Sequence, residues 1–225
     1  MTHTYTYGQA VVSVTKRDYT SLVVILLPFQ LLPSEMETLA SDYQCNVAVL
    51  SGMQWDDDLT PWPATLEGNP RMFKGFGERF LESLNSTFIP KIERIIGHPS
   101  THRTLIGNSL GGLFAVWQLT KSDIFDQVAS ISGSFWYPDF VNYMKENAST
   151  IKARKAYLSL GEKEAESSHT IYGDIMAATG EVQQVLQHAG METVLQLTSG
   201  GHTAPVYPRI EKAMDYLCNP VETPA

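Results

Sequence analysis

Cysteine is scarce in this 225-residue chain: it holds two, Cys45 and Cys218, and neither has metal-site or redox-motif spacing. Such usage fits a cytoplasmic protein with free thiols, Cys45 in the core and Cys218 near a loose tail. Long apolar runs are missing as well. The longest, Leu22 to Pro28, falls far short of the roughly 20 residues that span a bilayer, but it suits a buried strand. Basic charge is in deficit, with 16 Lys and Arg against 24 Asp and Glu and a formal net charge of -8. That balance excludes both a phosphate-neutralising face for nucleic acid and docking on an anionic membrane surface. Met1 to Gly8 offer neither a basic start nor an apolar stretch, so no signal peptide is expected. Repeats, low-complexity tracts and linker-like shifts are absent too. One domain over residues 1–225 is therefore expected, with 218–225 as a loose tail.

What is present is enough for one sizeable core, with 43% hydrophobic and 18% charged residues. Strand and helix signals alternate along it. Residues 4–14 read as an opening edge strand, Leu22 to Leu27 as a strand covered on both faces, and Asn46 to Leu50 as another. Between the last two, Pro33 to Asp42 reads as a short helix with Ser34 capping and Glu37 three residues on. Residues 51–70, with Gly, Pro, three consecutive aspartates and two tryptophans, read as a long loop. Phe76 to Ile96 has apolar residues at helical spacing, with a kink or break expected at Pro90. Strands follow at Arg103 to Ile106, Val128 to Ser132, Ala156 to Leu160 and Thr193 to Leu197. Helices are expected from Leu110 to about Thr120, around Pro138 to Lys145, over 171–189, and from beyond His202 to about Leu217. This alternation predicts an α/β fold, a mostly parallel sheet with helices on both faces, and chemistry at the carboxyl ends of its strands.

The sharpest chemical signal lies at one such end. Gly107-Asn108-Ser109-Leu110-Gly111 follows a strand and precedes a helix. A serine there sits on a strained turn with its hydroxyl exposed, and the glycines admit the close approach of strand and helix. Such a serine needs a base, and His202 is the candidate, because it follows the last strand and comes after the serine in chain order. His3, His98, His102 and His188 read as tail, loop and helix-end residues, and His169 is held in reserve. An acid should orient the imidazole. Glu164, three residues past Gly161 and the penultimate strand, is the choice, with Glu162, Glu166 and Asp139 as alternatives. Of the two oxyanion donors, one should be the N–H of Leu110. The other should be Phe29, since Pro28 has none, with Gln30 behind it.

Several segments together resemble the putative esterase family of the α/β-hydrolase superfamily, which includes siderophore esterases, S-formylglutathione hydrolases, feruloyl esterases and mycolyltransferases. They are Gly107 to Ala115, Asp58-Leu59-Thr60-Pro61, Phe80-Leu81 with Phe88 to Ile92, Phe125-Asp126 through Ser132 to Trp136, Gly161 to Glu164, and Gly201-His202. The resemblance implies an α/β-hydrolase fold over most of the chain, compact and without a large lid. It also implies Ser109 as nucleophile, Glu164 as acid and His202 as base. Two departures stand out: Pro28-Phe29 replaces the family's frequent Asp-Gly, and Gln54 and Trp55 stand where an arginine is often found.

The expected activity is hydrolysis of a small acyl or siderophore-like ester, a small-molecule substrate, with no metal and no organic cofactor. Trp55, Trp62, Trp136 and Tyr137 are candidates for an aromatic pocket wall, with core packing as their plain alternative. An acyltransferase using the same acyl-enzyme, and a non-catalytic binding protein on the same fold, are the competing readings. Oligomeric state has no signature in the sequence.

Overall fold

The computed structural model describes residues 1–66, 69–165 and 175–218, and its first elements are β1 (Thr2–Tyr7) and β2 (Ala10–Thr15). These form a hairpin where one strand over 4–14 was expected, and they place His3 in a strand instead of a tail. Gly8, at a φ of 60°, turns the chain between Tyr7 and Ala10, a geometry that costs glycine no Cβ clash. Next come β3 (Ser21–Leu26), α1 (Pro33–Asp42) and β4 (Asn46–Ser51). Pro33 occupies the first position of α1, so the cap falls on Leu32, whose N–H donates to Glu35 Oε2 at 2.8 Å. Ser34 is therefore inside the helix and does not cap it. Glu37 pairs instead with Arg17 and the N-terminal amine.

The expected loop over 51–70 carries regular elements. It contains α2 (Trp55–Asp58) and a small antiparallel sheet of β5 (Ala64–Leu66) and β6 (Asn69–Phe73). The three aspartates fall in the first turn of α2, where negative charge suits the positive end of the helix dipole. The Asp57 carboxylate then accepts from the Lys74 backbone N–H at 3.2 Å and from Nζ at 2.7 Å, tying α2 to the end of the small sheet. Helices α3 (Gly77–Ser83) and α4 (Ile89–Ile96) are joined by a π turn over Leu84–Phe88. Pro90 has no N–H for the carbonyl four residues back, and the widened turn lies directly before it. Helical backbone continues through the proline, and the irregularity sits one turn earlier than expected.

The remaining elements alternate: β7 (His102–Asn108), α5 (Leu110–Trp117), β8 (Gln127–Ile131), α6 (Phe140–Asn147), β9 (Lys155–Gly161) and α7 (Glu162–Ala165). They end with α8 (Ile175–His188), β10 (Glu192–Thr198) and α9 (Tyr207–Cys218). The helix expected over 171–189 is seen from Ile175; positions 171–174 and the tail from 219 lie outside the described residues.

Eight strands make one sheet in the order β1-β2-β4-β3-β7-β8-β9-β10, parallel from β4 to β10 and antiparallel at β1 and β2. Alternate residues of the central strands feed two cores. Leu22, Val24 and Leu26 meet α4, α5 and α8 on one face; Val23, Ile25 and Leu27 meet α1 and α9 on the other. This is why the β3 sequence is apolar without alternation. Helix α9 shows the matching stripe, with Ile210, Ala213, Met214 and Leu217 buried at helical spacing. Among the described residues no helix is long and apolar enough to cross a membrane.

Candidate active site

Strand β7 is fifth of the eight and delivers its last residues to the middle of the carboxyl edge. There Ser109 adopts a φ of 56° and a ψ of -120°, a conformation that costs a non-glycine residue of order 1–3 kcal/mol. Its backbone is held firmly. The N–H donates to Ile131 O at 2.9 Å, and the carbonyl accepts from Gly112 and Leu113 N–H at 3.0 and 3.1 Å. The flanking glycines are sterically required: a Cβ on Gly107 would lie 2.0 Å from the Gly111 carbonyl oxygen, and one on Gly112 would lie 2.5 Å from Ser130 Oγ. Helix α5 starts at Leu110, so that residue's N–H is one of the first-turn donors without an intrahelical acceptor.

His202 comes from the loop after β10, beyond Gly200 at a φ of 92°. Its Nε2 lies 3.1 Å from Ser109 Oγ and its Nδ1 lies 2.7 Å from Glu164 Oε2. The imidazole side chain is 48% exposed, while that of Glu164 is 6% exposed. Glu164 sits on α7, one short turn past β9. The loops bearing acid and base are joined where Lys163 N–H donates to Gly200 O at 3.0 Å. A Cβ on Gly161 would meet that same carbonyl oxygen at 2.5 Å, so glycine is needed for the two loops to close. Burial alone would push the Glu164 carboxyl up. Hydrogen bonds from His202, from Ser132 and from the Gly161 N–H outweigh it and hold the group below the usual carboxylate range.

The structure thus brings Ser109, His202 and Glu164 into one hydrogen-bonded line. Of the alternatives for the acid, Glu162 and Asp139 are exposed, and Glu166 lies outside the described residues, as does the reserve histidine His169. His98 and His188 contact the Pro99 and Gln184 carbonyls, and His102 approaches Asp126 at 3.9 Å. No group of three His, Cys, Asp or Glu able to hold a metal occurs among the described residues.

The loop after β3 passes beside the serine turn, since β3 and β7 pair through Leu26 and Gly107. Gln30 Nε2 donates to Val11 O at 3.0 Å and Ser51 Oγ at 2.7 Å, pinning that loop to β2 and β4. Phe29, just before it, is half exposed. Trp55 reaches the site directly: its Cη2 is 3.4 Å from where a Cβ on Gly111 would stand. Trp62 and Tyr137 bind each other's loops. Tyr137 is buried and its hydroxyl donates to Trp62 O at 2.5 Å, while Trp62 Nε1 donates to Pro138 O at 3.1 Å. Half-buried Trp136 packs at a tilt against Phe73 and Tyr137, each with centroids 6.4 Å away.

Two further residues join the site, and the sequence had given neither a site role. Ser132, at the end of β8, is buried at a φ of 49°, and its hydroxyl lies 2.6 Å from Glu164 Oε1. Arg209 of α9 is buried, and its Nη2 donates to Ser132 Oγ at 2.6 Å. The one available signal was a cation beside the apolar stripe of α9.

Comparison with known proteins bears on the family and the fold. The family model described as "Putative esterase" matches residues 32–205. YbbA of Bacillus subtilis (strain 168), described as an uncharacterized protein, is 30% identical over 171 residues, covering 71% of this chain and 68% of its own. Among solved structures, an IroE-like serine hydrolase from Shewanella oneidensis superposes with a TM-score of 0.78 at 15% identity, covering 93% of this chain and 75% of that one. The siderophore hydrolase EstB from Aspergillus nidulans gives 0.77 at 16% identity, covering 100% of this chain and 97% of that one. The fold is that of the α/β-hydrolases, and the chain belongs to the putative esterase family.

Proposed function

We propose that this protein is a serine-dependent carboxylic ester hydrolase working through an acyl-enzyme. The observation that carries the reading is the unbroken line from Ser109 Oγ through His202 to Glu164, at 3.1 and 2.7 Å. Ser109 Oγ bonds to the ester carbonyl carbon as its proton passes to His202 Nε2. Collapse of the tetrahedral intermediate breaks the bond to the alcohol oxygen, and the alcohol leaves with that proton. Water then gives a proton to His202 and bonds to the acyl carbon, and the carboxylic acid departs as the proton returns to Ser109. Leu110 N–H and Phe29 N–H are the oxyanion donors in this scheme. Neither a metal nor an organic cofactor has a step in it.

Water as the second acceptor, in preference to an alcohol, is supported by an imidazole side chain that is 48% exposed. The names of the siderophore and serine hydrolases that share this fold support a small acyl or siderophore-like ester as substrate. Trp55 and Trp136 would supply apolar surface to the acyl group, braced by Trp62 and Tyr137. Hydrolysis of p-nitrophenyl acetate and butyrate tests the reading. Wild type should turn over, and Ser109→Ala and His202→Ala should each lose about three orders of magnitude in kcat. Wild-type rates in Ser109→Ala would overturn it.

A further inference from the structure

Glu164 is surrounded by groups that donate. Arginine has no acceptor atom, so Arg209 Nη2 must donate to Ser132 Oγ across their 2.6 Å contact. The single hydroxyl proton of Ser132 then points to Glu164 Oε1, 2.6 Å away. Gly161 N–H donates to the same oxygen at 2.8 Å, and Oε2 faces His202 Nδ1 at 2.7 Å. Among the described residues, a proton on Oε1 would meet two donors, Ser132 Oγ and Gly161 N–H. The carboxylate is therefore the terminus of three donations, Nδ1 must carry the imidazole proton, and Nε2 keeps the lone pair that faces Ser109 Oγ.

We propose that Ser132 and Arg209 are positioning residues that hold Glu164 as an acceptor-only carboxylate aimed at His202 Nδ1, an inference that rests on the esterase reading of this site. Three unfavourable features converge on that one carboxylate. The side chains of Arg209 and Glu164 are 4% and 6% exposed, with 3.8 Å between Nη2 and Oε1, and burying two charges costs desolvation that an apolar pair would avoid. Nε and Nη1 of Arg209 have no hydrogen-bond partner among the described residues. Ser132 holds a φ of 49°, which a glycine would adopt without strain but with no hydroxyl to offer. Packing alone explains none of these. A relay that turns the carboxylate toward the base accounts for the buried charge pair and for the strained serine.

Among the described residues, the charged and titratable groups facing Glu164 are His202 from the loop after β10 and Arg209 from α9. Tyr157 of β9 lies near Arg209, and exposed Glu162 and Lys163 flank Glu164 on α7. Loss of Arg209 removes a positive charge that opposes a second one on the imidazole. Loss of either relay residue also lets the carboxylate take up a proton more readily. Both changes act in the same direction on the Glu164–His202 pair.

The test compares Ser132→Ala, Arg209→Met and Arg209→Lys with wild type on p-nitrophenyl acetate across pH. Ser132→Ala and Arg209→Met should lower kcat about 10- to 100-fold with KM within about twofold. Their acid limb should move up by about half a pH unit or more. Arg209→Lys, which keeps a cationic donor, should return the limb close to wild type. Folded variants that lose activity with an unmoved limb, or that lose none, would overturn the proposal. If Arg209→Met does not fold, Ser132→Ala, which removes one oxygen atom, decides alone. A titration of the Glu164 carboxyl by carbon-13 NMR needs no substrate. Its midpoint should rise in Ser132→Ala, and an unchanged midpoint overturns the positioning role. Activity retained by Ser109→Ala would overturn the esterase reading instead.

Discussion

At the scale of single residues, the proposed mechanism has Glu164 decide which nitrogen of His202 carries its proton. Glutamine at 164 presents an amide N–H₂ where a carboxylate oxygen now accepts from Nδ1, and so favours the wrong tautomer. We expect Glu164→Gln to lower kcat about 10⁴-fold with little change in the fold, checked by steady-state kinetics and near-ultraviolet circular dichroism. The same carboxyl links stability to pH. Its folded-state affinity for a proton is depressed, so its contribution is present above the unfolded value of ~4.3 and is lost as pH falls through the folded one. Calorimetry between pH 6 and pH 3 should show the Tm advantage of wild type over Glu164→Gln narrowing below about pH 4.3. A constant difference would contradict this. Gly107→Ala should fail differently, because a Cβ 2.0 Å from the Gly111 carbonyl oxygen forces the serine turn open. Loss of activity together with a lowered Tm is the expected result. Ser109, His202 and Glu164 were legible because chain order and strand ends constrain them. Ser132 and Arg209 were not, since the relay depends on side chains 77 positions apart that only the fold brings together.

At the scale of elements, the segment from α2 to β6 is the most consequential departure from expectation. Its turn residues read as loop, yet Asp57 gathers Lys74 from 17 positions away and closes the segment on itself. The segment carries Trp55 and Trp62. Asp57→Ala should loosen it and raise KM several-fold for aromatic or longer acyl esters, with kcat on p-nitrophenyl acetate within about threefold. Unchanged KM across an ester series would separate this segment from substrate binding. The β1–β2 hairpin escaped the sequence reading because its turn signal is one glycine, Gly8, inside a run of β-formers. The π turn before Pro90 escaped because apolar spacing alone does not distinguish a widened helical turn from a regular one. Strands β3, β4 and β7 to β10 were legible from apolar runs that the two-faced cores require.

At the scale of the whole molecule, the sheet order places β7 centrally, so the serine turn is supported on both sides by β3 and β8. Glu164 and His202 arrive from the ends of β9 and β10 on the same edge. This convergence was legible from alternation and chain order, while the antiparallel β1–β2 edge was not. In the proposed mechanism the serine–histidine–glutamate line supplies its own nucleophile and base, so overnight dialysis against EDTA should leave esterase activity within about twofold. A larger loss restored by added metal would contradict the mechanism.

The central claim is that Ser109 is a nucleophile made reactive by His202. A fluorophosphonate probe followed by peptide mass spectrometry tests it without knowledge of the natural ester. One label is expected on Ser109 in wild type, none in Ser109→Ala, and labelling slowed by at least about 100-fold in His202→Ala. An unlabelled wild type, or equal labelling of Ser109→Ala, would contradict it.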